Sequence, residues 1–296
     1  MPRFFLGHRE RSGAIEPPPF AVSSHARAMR VRAALGEVDL DEFSIPDEIV
    51  RIGSSYVPYH CDQGMTGTCF AAAPKIGIEQ TCAVNGHPIP FDVSVLDIAT
   101  LVHALERAEL GSVDDPLWDW GGDPRDAATV VSRFGVRQAH YRSGMSEEAR
   151  RCDASPDTVG PDHPPTPDER RGDEPNMLDT EKDAESLVLG IHEIGHLDPI
   201  GESVATIADR ACLTVAWNAT RADMDAAPGT ILDGRDGPPT HDSVINAFRR
   251  TPDGYLFQLW NSWWPWGDDG NLWVNESFMR CARARYAMSV TRRRAS

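Results

Sequence analysis

One stretch constrains the chain more than any other: residues 61–73, CDQGMTGTCFAAA. A Gln-Gly pair and a Gly-Thr step lead into a single cysteine, Cys69, followed by residues able to start a helix. A thiol there sits at the mouth of a helix, where free N–H groups and the helix dipole favour the thiolate. Gln63 lies six residues upstream, far enough for the loop to bring its amide beside the sulfur. A side-chain amide and the backbone N–H of Cys69 would together form a two-donor oxyanion hole. Such a nucleophile needs a base and a group to orient it, so the rest of the chain has to supply partners.

Helical signals dominate the first half. Pro74 is awkward within the run that follows Cys69, because it removes a helix hydrogen bond, and a distorted first turn is expected. Ile98, Leu101, Val102 and Leu105 fall on one helix face, with Ser94 as N-cap. Asp123 caps a helix starting at Pro124, with Ala127, Val130, Val131 and Phe134 at helical spacing and Gly135 closing it. Residues 146–176 hold six prolines and many charges, with Val159 the only sizeable aliphatic, so they read as a surface insertion or linker. Beyond them strand signals take over. Residues 211–217 alternate, residues 244–248 and 255–260 flank the turn TPDG, and Tyr286, Met288 and Val290 suggest a closing strand. Helices early and strands late give an α+β layout.

The strand half carries the partners. His241, within THDSV, enters one strand, and Asn261, within the run NSWWPWGDDGNLW, follows the next. An imidazolium beside a cysteine stabilises the thiolate, and an Asn amide can hold the ring so that it shares a proton with sulfur and delivers it to a leaving amine. Tryptophans 260, 263, 264 and 266 cluster where they could shield that Asn–His hydrogen bond, or simply pack the core. Adjacent strand residues point to opposite faces, so Asp242 is expected to turn its carboxylate away from the thiol. Cys69 and His241 are then expected to form an ion pair.

These residues resemble the papain-like cysteine proteases. The signature of that family is Gln-Gly, then Gly-Ser/Thr-Cys, an aromatic and small apolar residues, with a later Asn-Ser-Trp; the order Gln, Cys, His, Asn is also the family's. The resemblance covers roughly residues 50–290 apart from the insertion. It implies a two-lobed fold, a helical N-terminal half and an antiparallel, barrel-like C-terminal half, with the active site in the cleft between. It further implies a peptidase acting on peptide or protein substrates through Cys69, His241, Asn261 and Gln63, with no cofactor and no metal. Residues 1–45 are expected to form an extension packed on a peptidase domain of residues 46–292. The sequence departs from the family pattern at Thr240, Asp242, Phe70 and Pro74, and the spacing from Trp263 to Trp266 is one residue short. The cysteine pair that bridges the signature to the Gly-Gly region in secreted members is missing on both sides: Thr66 takes the first position, and residues 118–123 contain no cysteine.

Composition narrows the partners. A net charge of −16 argues against a nucleic-acid or anionic membrane surface. The apolar patch at residues 4–6 is too short for a signal-peptide core, and no run approaches a membrane span. Six scattered cysteines without a CxxC read as thiols, which points to a reducing compartment and the cytoplasm. A rival motif is HEIGH at residues 192–196, an H-E-x-x-H that on a helix would present two histidines to zinc with Glu193 as base. Gly190 and Gly195 each cost about 1 kcal/mol in a helix interior, and Pro199 stops the run. The stretch is therefore expected on a connecting strand and loop.

Overall fold

The computed structural model describes residues 33, 36, 39–43, 61–63, 67–86, 89, 93–110, 121–134, 136, 187–193, 198–263, 266–268 and 270–292. The first long element, α1 (Cys69–Val84), is buried at every position. A helix apolar on nearly all sides has to run through the interior. It continues through Pro74. The Thr68 carbonyl accepts from the N–H groups of Ala71 and Ala72, and at the far end Gly86 (φ +79°) reverses the chain. Its two charged side chains neutralise one another, Lys75 Nζ lying 3.1 Å from Glu79 Oε2. Glu79 Oε1 also accepts from the Val93 N–H at 2.7 Å, tying α1 to the entry of the next helix.

That helix, α2 (Val95–Leu110), begins where Ser94 Oγ accepts from the Asp97 N–H at 2.9 Å, the cap read from the sequence. α3 (Pro124–Phe134) begins likewise, Asp123 Oδ1 accepting from the Arg125 N–H at 2.9 Å. Ile98, Val102, Ala127, Val130 and Val131 join Phe70 and Ile78 of α1 in one helical core. Just before α3, Gly122 lies under the Phe70 ring, so close that an added Cβ would sit 2.5 Å from it. Gly122→Ala is therefore expected to destabilise the fold by about 1–3 kcal/mol through overpacking. A urea unfolding midpoint equal to that of the parent would contradict this contact.

The rest of the described chain is built on one sheet. Its strands are β1 (Glu42–Phe43), β2 (Leu187–Glu193), β3 (Leu213–Trp217), β4 (Ile231–Leu232), β5 (His241–Thr251), β6 (Gly254–Trp260), β7 (Asn271–Asn275) and β8 (Arg283–Arg292). Three short helices accompany them: α4 (Pro199–Ala208), α5 (Arg221–Met224) and α6 (Glu276–Cys281). The order is β2-β8-β3-β5-β6-β7-β4, with β1 paired to β5. All pairs are antiparallel except β4 with β7. The expected strands are present, and the one expected at 244–248 extends over the whole of β5. The architecture is the expected α+β, a helical N-terminal part and an antiparallel-rich sheet.

β5 lies between two cores. Val244 packs into the helical core, whereas Ile245 and Phe248 belong to a second core with α4, α6, β3, β6 and β7. Asn246 Nδ2 donates to Gln80 Oε1 of α1 at 3.1 Å, so the face of β5 that carries Val244 and Asn246 meets the helix.

β1 pairs Glu42 with Arg249 and Phe43 with Phe248, and Tyr255 Oη donates to the Leu40 carbonyl at 3.0 Å. Residues 40–43 thus attach to the end of β5 remote from His241. Residues 146–176, expected to be an insertion or linker, lie outside the described residues. One expectation is corrected here. Cys61, buried two positions ahead of Gln63, is disulfide-bonded to a partner outside the described residues, whereas Cys69, Cys82, Cys212 and Cys281 form no disulfide. Chain spacing alone does not reveal which distant thiols the fold brings together.

Candidate active site

Cys69 is the first residue of α1 and is fully buried. The other free thiols contrast with it. Burial pushes Cys82 and Cys212 up to about 12, so neither ionises near neutral pH. The Cys281 thiol is also pushed up, by desolvation and then by Asp236. Only Cys69, among these four, stands at a helix N-terminus.

Gln63 is anchored twice. Its N–H donates to the Ser262 carbonyl at 2.9 Å, and Ser262 Oγ donates in a short hydrogen bond to Gln63 Oε1. With the oxygen end of the amide turned towards Ser262, the Nε2 donors lie on its other side. The pair also joins the segment before α1 to the segment after β6.

His241 opens β5 opposite Trp217 of β3. Its Nε2 lies 2.7 Å from Asn261 Oδ1. The same Oδ1 accepts from the Ser262 backbone N–H at 2.7 Å. A backbone N–H can only donate, so the atom facing it must be the amide oxygen, and His241 Nε2 must carry a proton. In the neutral ring Nδ1 is therefore the basic nitrogen, the one that gains and loses the second proton. Trp263 stacks on the imidazole at a centroid distance of 3.9 Å and 19° between planes, and Trp217 meets it edge-on at 5.8 Å. Trp266 packs edge-on against Trp263 and donates Nε1–H to the Asp223 carbonyl at 2.7 Å. These rings leave His241 and Asn261 with no exposed surface. A stacked indole face also favours the charged imidazolium.

Asp242 departs from expectation. Its Oδ2 lies 3.7 Å from Cys69 Sγ, and both residues are fully buried. The expectation that this carboxylate turns away from the thiol is thus corrected. The face of β5 that α1 covers is the one carrying Asp242, Val244 and Asn246, and this puts the carboxylate beside the thiol.

Gln63 thus meets Ser262, His241 meets Asn261, Ser262 links the two pairs through its N–H to Asn261, and Cys69 meets Asp242. The roles of Ser262 and Trp217 escaped sequence reading, although Ser262 lay inside the quoted Asn-Ser-Trp run. His192 and Glu193 lie on β2, which pairs along its length with β8 from Leu187↔Arg292 to Glu193↔Tyr286. The helix that the zinc motif requires is therefore not formed there, as expected; His196 lies outside the described residues. Among the described residues no group of three or more His, Cys, Asp or Glu side chains is arranged to hold a metal.

Solved structures match this arrangement of elements over nearly the whole chain. A cysteine protease from Xylella fastidiosa, xylellain, superposes with a TM-score of 0.62 at 16% identity, covering 99% of both chains. The fold is papain-like. Digestive procathepsin L2 from Tenebrio molitor gives 0.60 at 18% identity, over 97% of this chain and 78% of that one. The proform of the ragweed pollen cysteine protease Amb a 11 gives 0.55 at 15%, and this chain spans only 60% of its length. No family model and no curated sequence matches the chain. In this papain-like fold α1 presents Cys69 from the helical part, and the sheet presents His241 and Asn261.

Proposed function

We propose that the protein is a cysteine peptidase of the papain-like type, hydrolysing peptide bonds through Cys69, His241 and Asn261. The observation that carries this reading is the His241 Nε2–Asn261 Oδ1 bond of 2.7 Å under Trp263. It fixes the tautomer and leaves Nδ1 as the proton carrier, in a residue whose chain neighbour touches the Cys69 sulfur. In the reaction the Cys69 thiolate adds to the scissile carbonyl carbon. The oxyanion is held by Gln63 Nε2–H and the Cys69 backbone N–H. The imidazolium gives its Nδ1 proton to the leaving amine as the C–N bond breaks, producing a thioester. His241 then takes a proton from water, whose oxygen attacks the thioester and releases the acid and Cys69.

The substrate is a peptide or protein, and the chemistry needs no cofactor or metal. The peptidase unit is taken as residues 46–292, with residues 1–45 an extension attached through β1. No described helix is long and apolar enough to cross a membrane. The disulfide at Cys61 withdraws the argument that free thiols made for a reducing compartment.

Treatment with a peptidyl epoxide tests the reading. Stoichiometric adduct on Cys69, found by peptide mass mapping and lost in His241→Ala, is expected together with hydrolysis of an unstructured protein substrate. Adduct without hydrolysis would favour an acyl-transferring relative. No adduct would leave a papain-like fold without peptidase chemistry.

A further inference from the structure

We infer that Asp242 is a positioning residue for the nucleophile: its carboxylate accepts the Cys69 S–H and holds the resting sulfur as the thiol. The inference rests on the proposed reading of Cys69 as nucleophile. It starts from two buried groups in contact, Oδ2 and Sγ at 3.7 Å, next to a histidine whose Nε2 is already protonated.

An anionic carboxylate and an anionic sulfur so close repel one another strongly in a buried site. Where the two share one proton, it goes to the weaker acid. An unperturbed carboxyl group titrates near pH ~3.9 and a thiol near ~8.5, and burial penalises both anions. The proton therefore stays on sulfur. With one proton between them, the favoured state of the pair is carboxylate and thiol, in place of the thiolate expected from the sequence. The thiolate forms when this coupled system gives up a further proton or when Asp242 is neutralised.

Other charged groups around the pair have local partners or are remote. β3 and β6 carry no charged side chain. On α1, Lys75 and Glu79 pair with each other, and Cys82, like Cys212 just ahead of β3, is held neutral by burial. Ahead of α3, Asp123 is clasped by Arg125, and Asp126 lies in the first turn of that helix. Arg285 of β8 donates to the Met279 and Ala282 carbonyls. Glu42 of β1 lies at the other end of β5. Asp62, Asp97 of α2 and Glu202 of α4 are buried carboxyl groups; any charge they carry is negative and acts in the same direction as Asp242.

The test is the rate of alkylation of Cys69 by a small neutral haloacetamide against pH, on the full chain, with the modified cysteine identified by mass mapping. In Asp242→Asn the onset is expected to move at least one pH unit lower, with at least a tenfold faster reaction in mildly acidic solution. Asp242→Ala should move it the same way, which excludes the new amide as the cause. Onsets unchanged or moved upward in both variants would overturn the inference. Should neither variant fold, the wild-type protein decides. The thiolate ultraviolet absorbance lost in Cys69→Ala should be missing in mildly acidic solution, and its presence there would also overturn the inference. Peptide hydrolysis and epoxide labelling do not enter these readouts. A lowered onset without peptidase activity would therefore retain the role of Asp242 and sink the proposed function alone.

Discussion

Replacing Cys69 by alanine is expected to lower peptide hydrolysis by about 10⁴-fold or more while the chain stays folded. The magnitude follows from the role: without sulfur no thioester forms, and what remains is the oxyanion donors and substrate binding. His241→Ala should cost a similar factor, and the double variant little more than either single one, because the two act as a unit. The structural cost of Cys69→Ala is small by comparison, since a single buried sulfur beside Asp242 is removed. Steady-state hydrolysis of a fluorogenic peptide, with far-ultraviolet circular dichroism as the check on folding, separates the two effects. A Cys69→Ala chain retaining more than a hundredth of the activity would place the nucleophile elsewhere. Cys82 and Cys212, with their thiols pushed up to about 12, would be poor substitutes.

The second large effect is expected at Gln63. In the proposed mechanism Gln63→Ala removes one oxyanion donor, and a loss of about 10²–10³ in kcat is expected. KM should change little, because the charge on oxygen develops only in the transition state. Ser262→Ala offers the graded companion. It removes the hydroxyl that holds Oε1 but keeps the Gln63 N–H bond to the Ser262 carbonyl at 2.9 Å. The amide would stay near the site with its orientation loosened, so a smaller loss of kcat is expected, again with KM nearly constant. Equal losses in the two variants would mean that Gln63 acts only when locked by Ser262. A Gln63→Ala enzyme with unchanged kcat would remove it from the oxyanion hole.

Much of the architecture was legible in local residue patterns. Ser94 and Asp123 cap their helices because a short polar side chain before an apolar helical period meets N–H groups that the helix leaves open. The alternation at Leu213, Val215 and Trp217 and the TPDG turn mark a strand and a hairpin for equally local reasons. The Gln, Cys, His, Asn order stood out in the sequence through its resemblance to the papain-like signature. Contacts between elements were a different matter. Alternation does not say which face of β5 meets α1, and the packing of the two brings the Asp242 carboxylate beside the sulfur. The stacking of Trp263 on His241, the edge of Trp217 and the grip of Ser262 on Gln63 join positions tens to hundreds of residues apart. The disulfide at Cys61 belongs to the same class. Local sequence patterns set the conformation of each segment, whereas burial of the two cores against β5 selects which faces meet, and with them the groups that share a proton.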